Sequence, residues 1–319
     1  MSTAPRATII IPTHEHAYTI DLVIESALAQ TVEDIEILIL GDGCDDATRT
    51  VVERYWRTDD RVRFMDLPKG PHRGEAYRND AVRAARAPVV GYLADDDLLF
   101  PDHVDDMLKL LEDADLAHSL NGFFRPDGSF EPYAADLADP MSRAWHLRPG
   151  CNGVSITGTF HTVDAFERLP RGWRVPEPGE WADHTLWQQF LGDLSIRAIT
   201  SDRLTTVQLP SHAVERSGWS PMERRSEIEQ WMTRIALPGE RARIDAEVAR
   251  GSAHRVAVLQ AHLTRTEDDL TRERDALSAH VDELQDELTR SEEHVRRLSR
   301  SWPRRLAGRI RRSLARREV

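Results

Sequence analysis

From Ala7 to about Leu116, short apolar runs alternate with longer amphipathic ones. Ala7-Thr-Ile-Ile-Ile-Pro12 is β-branched and nearly continuous, the pattern of a buried strand, and proline stops it. Tyr18–Gln30 repeats apolar residues at helical spacing, and Ile35–Leu40 predicts a second strand. Ala47–Arg57 predicts a second helix, with Asp45 and Asp46 as capping candidates. Arg61–Asp66 reads as a third strand, Gly74–Ala87 as a helix ended by Pro88, Val89–Leu93 as a fourth strand, and Pro101 restarts a helix to about Glu112. Strands and helices alternating in this way build a parallel sheet with crossover helices.

Between Leu116 and Leu209 the pattern loosens, with scattered Gly and Pro, and the helical period returns only near Asp183–Leu191. Gly153–Phe160 and Leu194–Thr200 are expected to extend the sheet. The expectation is one α/β domain over residues 1–215, whose first half, 1–115, is regular and whose second half, 116–215, is loop-rich and shapes a pocket. A helical connector follows at 216–240.

Beyond about Arg241 the chain is charged, Pro-free as far as Ser301 and poor in Gly. Val256, Leu263, Leu270, Leu277, Leu284 and Leu298 keep a seven-residue step, broken at Ser291, while Val281, Leu288 and Val295 supply the second core position. That is a heptad seam, and it predicts a coiled coil over 241–300 and self-association. An amphipathic helix folded back on the domain is the alternative, but Glu and Arg flank a stripe narrower than such a helix uses.

Composition adjusts the picture in three places. With 319 residues, 40% hydrophobic and 30% charged, the chain is large enough for one core plus an appendage. No apolar run approaches the roughly 18 residues of a membrane span, and Met1–Arg6 lacks a secretory pattern, so a cytoplasmic location is expected. Cys44 and Cys151 suggest neither a disulfide framework nor a zinc site. The net charge of −12 conceals ten arginines against Glu318 within Arg296–Val319, leaving −21 on the rest. So acidic a body argues against a nucleic-acid partner. In the tail, 301–319, Trp302, Leu306, Ile310 and Leu314 recur every four residues between arginines, which suits an interfacial helix on anionic lipid; a solvated basic end is the plainer reading.

The candidate chemistry sits where strands end. Asp42 follows the second strand, Asp95-Asp96-Asp97 follow the fourth, and Asp183 opens a later helix. The carboxyl ends of parallel strands face one crevice, so the first two clusters can converge. Three consecutive carboxylates are costly unless a cation neutralises them, and Mg²⁺ or Mn²⁺ bound by one or two carboxylates and a substrate's phosphates would do so. A helix start before Pro101 accounts for one aspartate, not three. Gly41-Asp-Gly-Cys-Asp-Asp46 reads as a tight turn, or as a loop that approaches a nucleotide with Asp42 accepting from a base.

Taken in order, Ala7–Thr13, Gly41–Asp46, His72-Arg-Gly74 with Arg78-Asn79, and Tyr92-Leu-Ala-Asp-Asp-Asp-Leu-Leu-Phe-Pro101 resemble the successive signatures of family 2 glycosyltransferases of the GT-A fold. The likeness continues through Gly179-Glu-Trp-Ala-Asp-His-Thr-Leu-Trp187. It implies a Rossmann-like mixed sheet, a nucleotide-binding half at 1–115 and an acceptor half at 116–215. Pro12, Thr13, Asp42, Arg73, Arg78 and Asp95 would then serve the donor. Asp96 and Asp97 of the DxD region would hold Mn²⁺ or Mg²⁺, and Asp183 would be the catalytic base with Glu180 as a second candidate. Gly41 and Ala94 depart from the family, standing where many members carry aspartate.

The implied reaction is a metal-dependent, inverting and non-processive transfer of a sugar. The donor would be a nucleotide sugar of UDP, dTDP or GDP type, and the acceptor a hydroxyl on a saccharide, a lipid-linked carrier or a protein. Surface polysaccharide or glycoconjugate synthesis on the inner face of the plasma membrane is the implied setting. Trp145, Trp173, Trp181 and Trp187 offer flat faces, of which one or two would stack on a sugar ring, the others being packing residues. The rival readings are a nucleotidyltransferase and a non-catalytic nucleotide-binding adaptor organised by the coiled coil.

Overall fold

The computed structural model describes residues 4–133, 135–211 and 213–315, with side chains through Leu298 and at Arg309. In chain order the elements are β1 (Ala7–Thr13), α1 (Ile20–Leu28), β2 (Ile35–Asp42), α2 (Asp46–Thr58), β3 (Val62–Leu67), α3 (Tyr77–Ala84), β4 (Val89–Tyr92), β5 (Leu98–Leu99) and α4 (His103–Leu110). The second half adds β6 (Leu116–His118), β7 (Gly122–Phe124), β8 (Phe130–Pro132), α5 (Pro140–His146), β9 (Thr159–Thr162), α6 (Val163–Glu167), α7 (Ala182–Gly192), β10 (Ala198–Thr200), β11 (Thr206–Val207), α8 (Pro221–Ala236) and α9 (Glu240–Ala315).

A seven-stranded sheet runs β10-β6-β9-β4-β1-β2-β3. β1 pairs parallel with β2 and β4, and β2 with β3, while β9 lies antiparallel between β4 and β6. This is the expected α/β arrangement of a mixed, mainly parallel sheet. Strand alternation decides which side each apolar residue fills. Ile9, Ile11, Ile37 and Ile39 face α1, α2 and α4, and Ile10, Leu38, Leu40, Val90 and Tyr92 face α3, α6, α7 and Trp173. Asp45 caps α2 by accepting from Thr48 N, as its position predicts.

The loop-rich half differs in detail from the sequence pattern. The helix expected over Gly74–Ala87 starts at Tyr77, because Gly74 takes φ +64° and its Cα abuts the Asp42 carboxylate, where a Cβ would fall 2.6–2.9 Å from it. Only the end of Gly153–Phe160 is strand. Gly153 O accepts from Asn121, Val154 N donates to Asn152, and Val154 O accepts from Trp187, so side chains replace the ladder.

The chain divides into two compact units, Met1–Arg255 and Val256–Val319. In the first, the connector read at 216–240 is a packed element. Ile228 and Trp231 of α8, with Ile244 and Val248 from the first turns of α9, join Phe100, Phe124, Phe130 and Leu209 in a third core cluster. A full capping box, Ser220 with Glu223, starts α8. The second unit is helical to Ala315, and its Val256, Leu263, Leu270, Leu277, Val281, Leu284, Leu288, Val295 and Leu298 are all exposed. Trp302, Leu306, Ile310 and Leu314 lie outside the described side chains. Among the described residues no helix is long and apolar enough to cross a membrane.

Candidate active site

The site is built on the carboxyl ends of β1, β2 and β4. Thr13 closes β1 opposite Gly41 of β2, and its buried hydroxyl has no hydrogen-bond partner among the described residues. Next to it, Asp42 is buried and held by the loop after β3: Gly70 N donates to Oδ1 at 2.6 Å and Lys69 Nζ pairs with Oδ2. Gly41 leaves little room for a side chain. A Cβ there would lie 2.9 Å from the Phe64 ring and 3.0 Å from Cys44 Sγ.

The three aspartates after β4 have three different surroundings. Asp95, its side chain 14% exposed, places Oδ2 2.6 Å from His16 Nδ1. Burial works to lower the His16 pKa, but the contact with Asp95 and the charges of Asp95 and Asp96 raise it above its ordinary value. Asp96, 17% exposed, receives Arg224 Nη2 of α8 at 3.2 Å. Burial and the Asp95 charge raise its carboxyl above the aspartate range, against Arg224 and His16. Asp97 turns inward: Oδ2 accepts from Thr157 Oγ1 at 2.5 Å and Oδ1 from Leu209 N at 2.8 Å. Burial pushes its carboxyl up to about 7, with the Asp96 charge adding to the effect.

Both Asp97 oxygens accept hydrogen bonds inside the protein, so of the two aspartates read as metal ligands only Asp96 is partly open. The open carboxylates are Asp95 and Asp96. No group of three or more His, Cys, Asp or Glu suited to a metal occurs among the described residues, so an ion here would need ligands beyond those two carboxylates.

Arg78 of α3 stacks over Trp173, its guanidinium carbon 4.5 Å from the ring centroid. Asn79 fixes that indole's backbone, donating to Trp173 O and accepting from Trp173 N. Arg78 Nε is buried without a partner among the described residues. Burial lowers the guanidinium pKa, and the charges of Glu75, Asp183, Tyr92 and Asp95 oppose that shift. Arg78 thus shares one electrostatic neighbourhood with carboxylates from three parts of the chain.

Asp183 occupies the second position of α7; the helix cap is Trp181, without a side-chain bond. Asp183 Oδ1 accepts from His184 N at 2.8 Å and Oδ2 from Asn152 Nδ2 at 3.3 Å. Burial raises its pKa against those bonds and the Arg78 charge. Tyr133, after β8, feels Asp97 and Asp183, with burial the main cause of its raised pKa. Glu180 is placed differently: on the surface, its Oε2 takes Arg174 Nη2 at 2.6 Å and Glu177 N at 2.9 Å, and its pKa is lowered. Arg73 is exposed. Trp173 and Trp187 are buried packing residues, whereas Trp145 and Trp181 are open.

His16, Lys69, Asn152 and Arg224 were not evident from the sequence. Lys69 had one available signal, being one of two lysines in a chain whose other basic residues are arginine.

Residues 8–157 match the family model described as Glycosyl transferase family 2, a span that holds Pro12, Thr13, Asp42, Arg73, Arg78 and Asp95–Asp97 but not Glu180, Asp183 or Arg224. A chondroitin synthase of Pasteurella multocida (strain Pm70) is 35% identical over 168 residues, which cover 46% of this chain and 17% of that protein. An uncharacterized glycosyltransferase of Rickettsia typhi is 30% identical over 204 residues, 59% of each chain. The solved structure of S. aureus TarS 1–349 aligns over 77% of this chain and 70% of that one, at 15% identity and a TM-score of 0.48. The chain spans less than two thirds of the length of these curated relatives. Residues 8–157, just under half of the chain, thus carry the likeness to glycosyl transferase family 2.

Proposed function

We propose that the chain is a divalent-metal-dependent, inverting and non-processive glycosyltransferase. It moves a sugar from a nucleotide sugar of UDP, dTDP or GDP type to a hydroxyl on a saccharide, lipid-linked or protein acceptor. The observation that carries this reading is Asp183: a buried carboxylate of raised proton affinity that shares the field of Arg78 with Asp95, in a chain whose residues 8–157 match family 2.

In this reading Asp183 accepts the proton of the acceptor hydroxyl. Burial makes it a stronger base than a solvated aspartate, and Asn152 and the His184 amide orient it. The new carbon–oxygen bond forms on one face of the anomeric carbon while the bond to the donor phosphate breaks on the other. The configuration inverts, and the electron pair leaves with the diphosphate. Pro12, Thr13, Asp42 and Arg73 line the nucleotide, and Arg78 adds fixed positive charge. Asp95 and Asp96, adjacent and partly open, suit a hard cation, and Mn²⁺ or Mg²⁺ bound there would supply Lewis acidity to the departing diphosphate.

The exposed seam from Val256 to Leu298 is self-complementary in the manner of heptad packing, and a second copy of this chain is its proposed partner. The arginine-rich tail would hold the protein on an anionic inner membrane face, close to lipid-linked acceptors. Surface polysaccharide or glycoconjugate synthesis is the proposed setting.

Product analysis with labelled UDP-, dTDP- and GDP-sugars tests the reading. Asp183→Asn should lower sugar transfer by about 10²–10⁴-fold with nucleotide binding retained, and Glu180→Gln should leave transfer intact. Full transfer by Asp183→Asn would overturn the assignment. Transfer of a nucleotidyl group would point to the nucleotidyltransferase, and binding without transfer of any kind to the adaptor.

A further inference from the structure

The acidic loop is wired to α8 by a chain of buried charges. Arg216, just ahead of α8, is fully buried and grips Glu227, with Nε 2.9 Å from Oε2 and Nη2 2.6 Å from Oε1; Nη2 also donates to Phe124 O at 2.7 Å. Glu227 Oε2 in turn accepts from Arg224 Nη1 at 2.7 Å. Arg224 Nη2 donates to Leu209 O at 2.6 Å and reaches Asp96 Oδ2 at 3.2 Å. The charges alternate from Arg216 through Glu227 and Arg224 to Asp96, and only Asp96 retains an opening to the crevice.

Burying two guanidinium groups is costly unless each is paired, and here each is paired more than once. Arg224, its side chain 6% exposed, is held by Glu227 and by a backbone carbonyl. Multiple anchors keep its charge beside Asp96 whatever enters the crevice. A fixed cation at 3.2 Å opposes a second cation on the same carboxylate, and the opposition is strongest when no other anion is present.

We propose that Arg224 is a built-in counter-cation of Asp96 that makes divalent-metal binding conditional on a nucleoside diphosphate. Without a diphosphate, the guanidinium satisfies Asp96 and the acidic loop holds a metal weakly. With one, the phosphate oxygens bring the negative charge and the ligands that the guanidinium offsets. The inference rests on the transferase reading above, and it assigns α8 a function in that site.

The test is Mn²⁺ binding to the full chain, followed by the Mn²⁺ electron paramagnetic resonance signal, without nucleotide and then with UDP or GDP. Arg224→Gln leaves Glu227 paired with Arg216, and it should bind Mn²⁺ alone at least about tenfold more tightly than the parent protein. Arg224→Lys should stay near the parent. Glu227→Gln removes a negative charge behind the guanidinium and should shift affinity the other way. A purely structural role predicts no such opposition of sign. Folded Arg224→Gln with unchanged or weaker Mn²⁺ affinity would overturn the proposal, as would Glu227→Gln that binds more tightly, should Arg224→Gln fail to fold. If the parent binds no Mn²⁺ even with nucleotide, the metal-dependent reading itself fails and this inference falls with it. Nucleotide-linked Mn²⁺ binding that Arg224→Gln leaves unaltered removes this inference alone.

Discussion

Asp97→Asn separates a structural carboxylate from a metal ligand inside one motif. Asp97 ties the acidic loop to two distant segments: it accepts from Thr157 Oγ1 at 2.5 Å and from Leu209 N at 2.8 Å, and Thr157 Oγ1 in turn accepts from Ala94 N at 3.1 Å. Asparagine keeps the shape and one acceptor for Leu209 N, and its amide can donate to Thr157. The substitution therefore costs at most about one neutral hydrogen bond, roughly 1 kcal/mol, when Asp97 is protonated.

The pH dependence carries the decisive sign. Folding raises the Asp97 pKa from 3.8 to about 7, so the folded state binds a proton that the unfolded state has released. That contribution is fully present below about 4 and is lost as pH rises to about 7. At its steepest, the single proton gives about 1.4 kcal/mol per pH unit. The stability of Asp97→Asn relative to the parent should accordingly climb between pH 4.5 and 7.5 and level off above. Urea unfolding in chelator-containing buffer at several pH values measures the difference, and titration with Mn²⁺ and nucleotide at pH 7.5 measures the site. A pH-independent difference would refute the burial argument. A folded variant unable to bind Mn²⁺ with nucleotide would return Asp97 to the metal.

Two further outcomes are expected. Gly91→Ala should destabilise the protein by about 1–3 kcal/mol, because a Cβ in β4 would fall 2.0–2.3 Å from the Phe160 ring on β9; chemical denaturation checks this, and Phe160→Leu added to it should recover part of the loss. Replacing both Leu270 and Leu277 by Asn should convert a self-associated protein to monomer in sedimentation, since both lie on the exposed seam; an unchanged mass would mean that the seam faces something other than a second copy.

The first half of the fold was readable because its signals are local. Ala7–Pro12 and Ile35–Leu40 carry apolar residues on both faces, broken only by Thr8 and Glu36, as suits strands between two helical layers, and each lies in the strand that its pattern predicts. The β7–β8 hairpin was not readable. Its strands, Gly122–Phe124 and Phe130–Pro132, hold three residues each, too few to show an alternation. β9 lies between β4 and β6 because of pairing partners remote in sequence, which no periodicity encodes. The same limit applies to the site. Asp42, Asp95 and Asp183 could be picked out as acidic residues at element ends, but Arg224 meets Asp96 across 128 positions, from a helix that looked like a connector.

The three aspartates show why counting carboxylates is a weaker guide to metal binding than tracing their partners. Their mutual repulsion is real, and it is met in three ways: Asp95 by His16, Asp96 by Arg224, and Asp97 by protonation at the low end of its raised titration range together with two internal donors. Only the first two are partly open, and each already has a basic neighbour, Arg224 charged throughout and His16 charged when protonated. A metal ion arriving without further anions would therefore meet little uncompensated charge. The diphosphate of a donor supplies the negative charge that the two carboxylates no longer offer, so the arrangement favours metal and donor binding together over either alone.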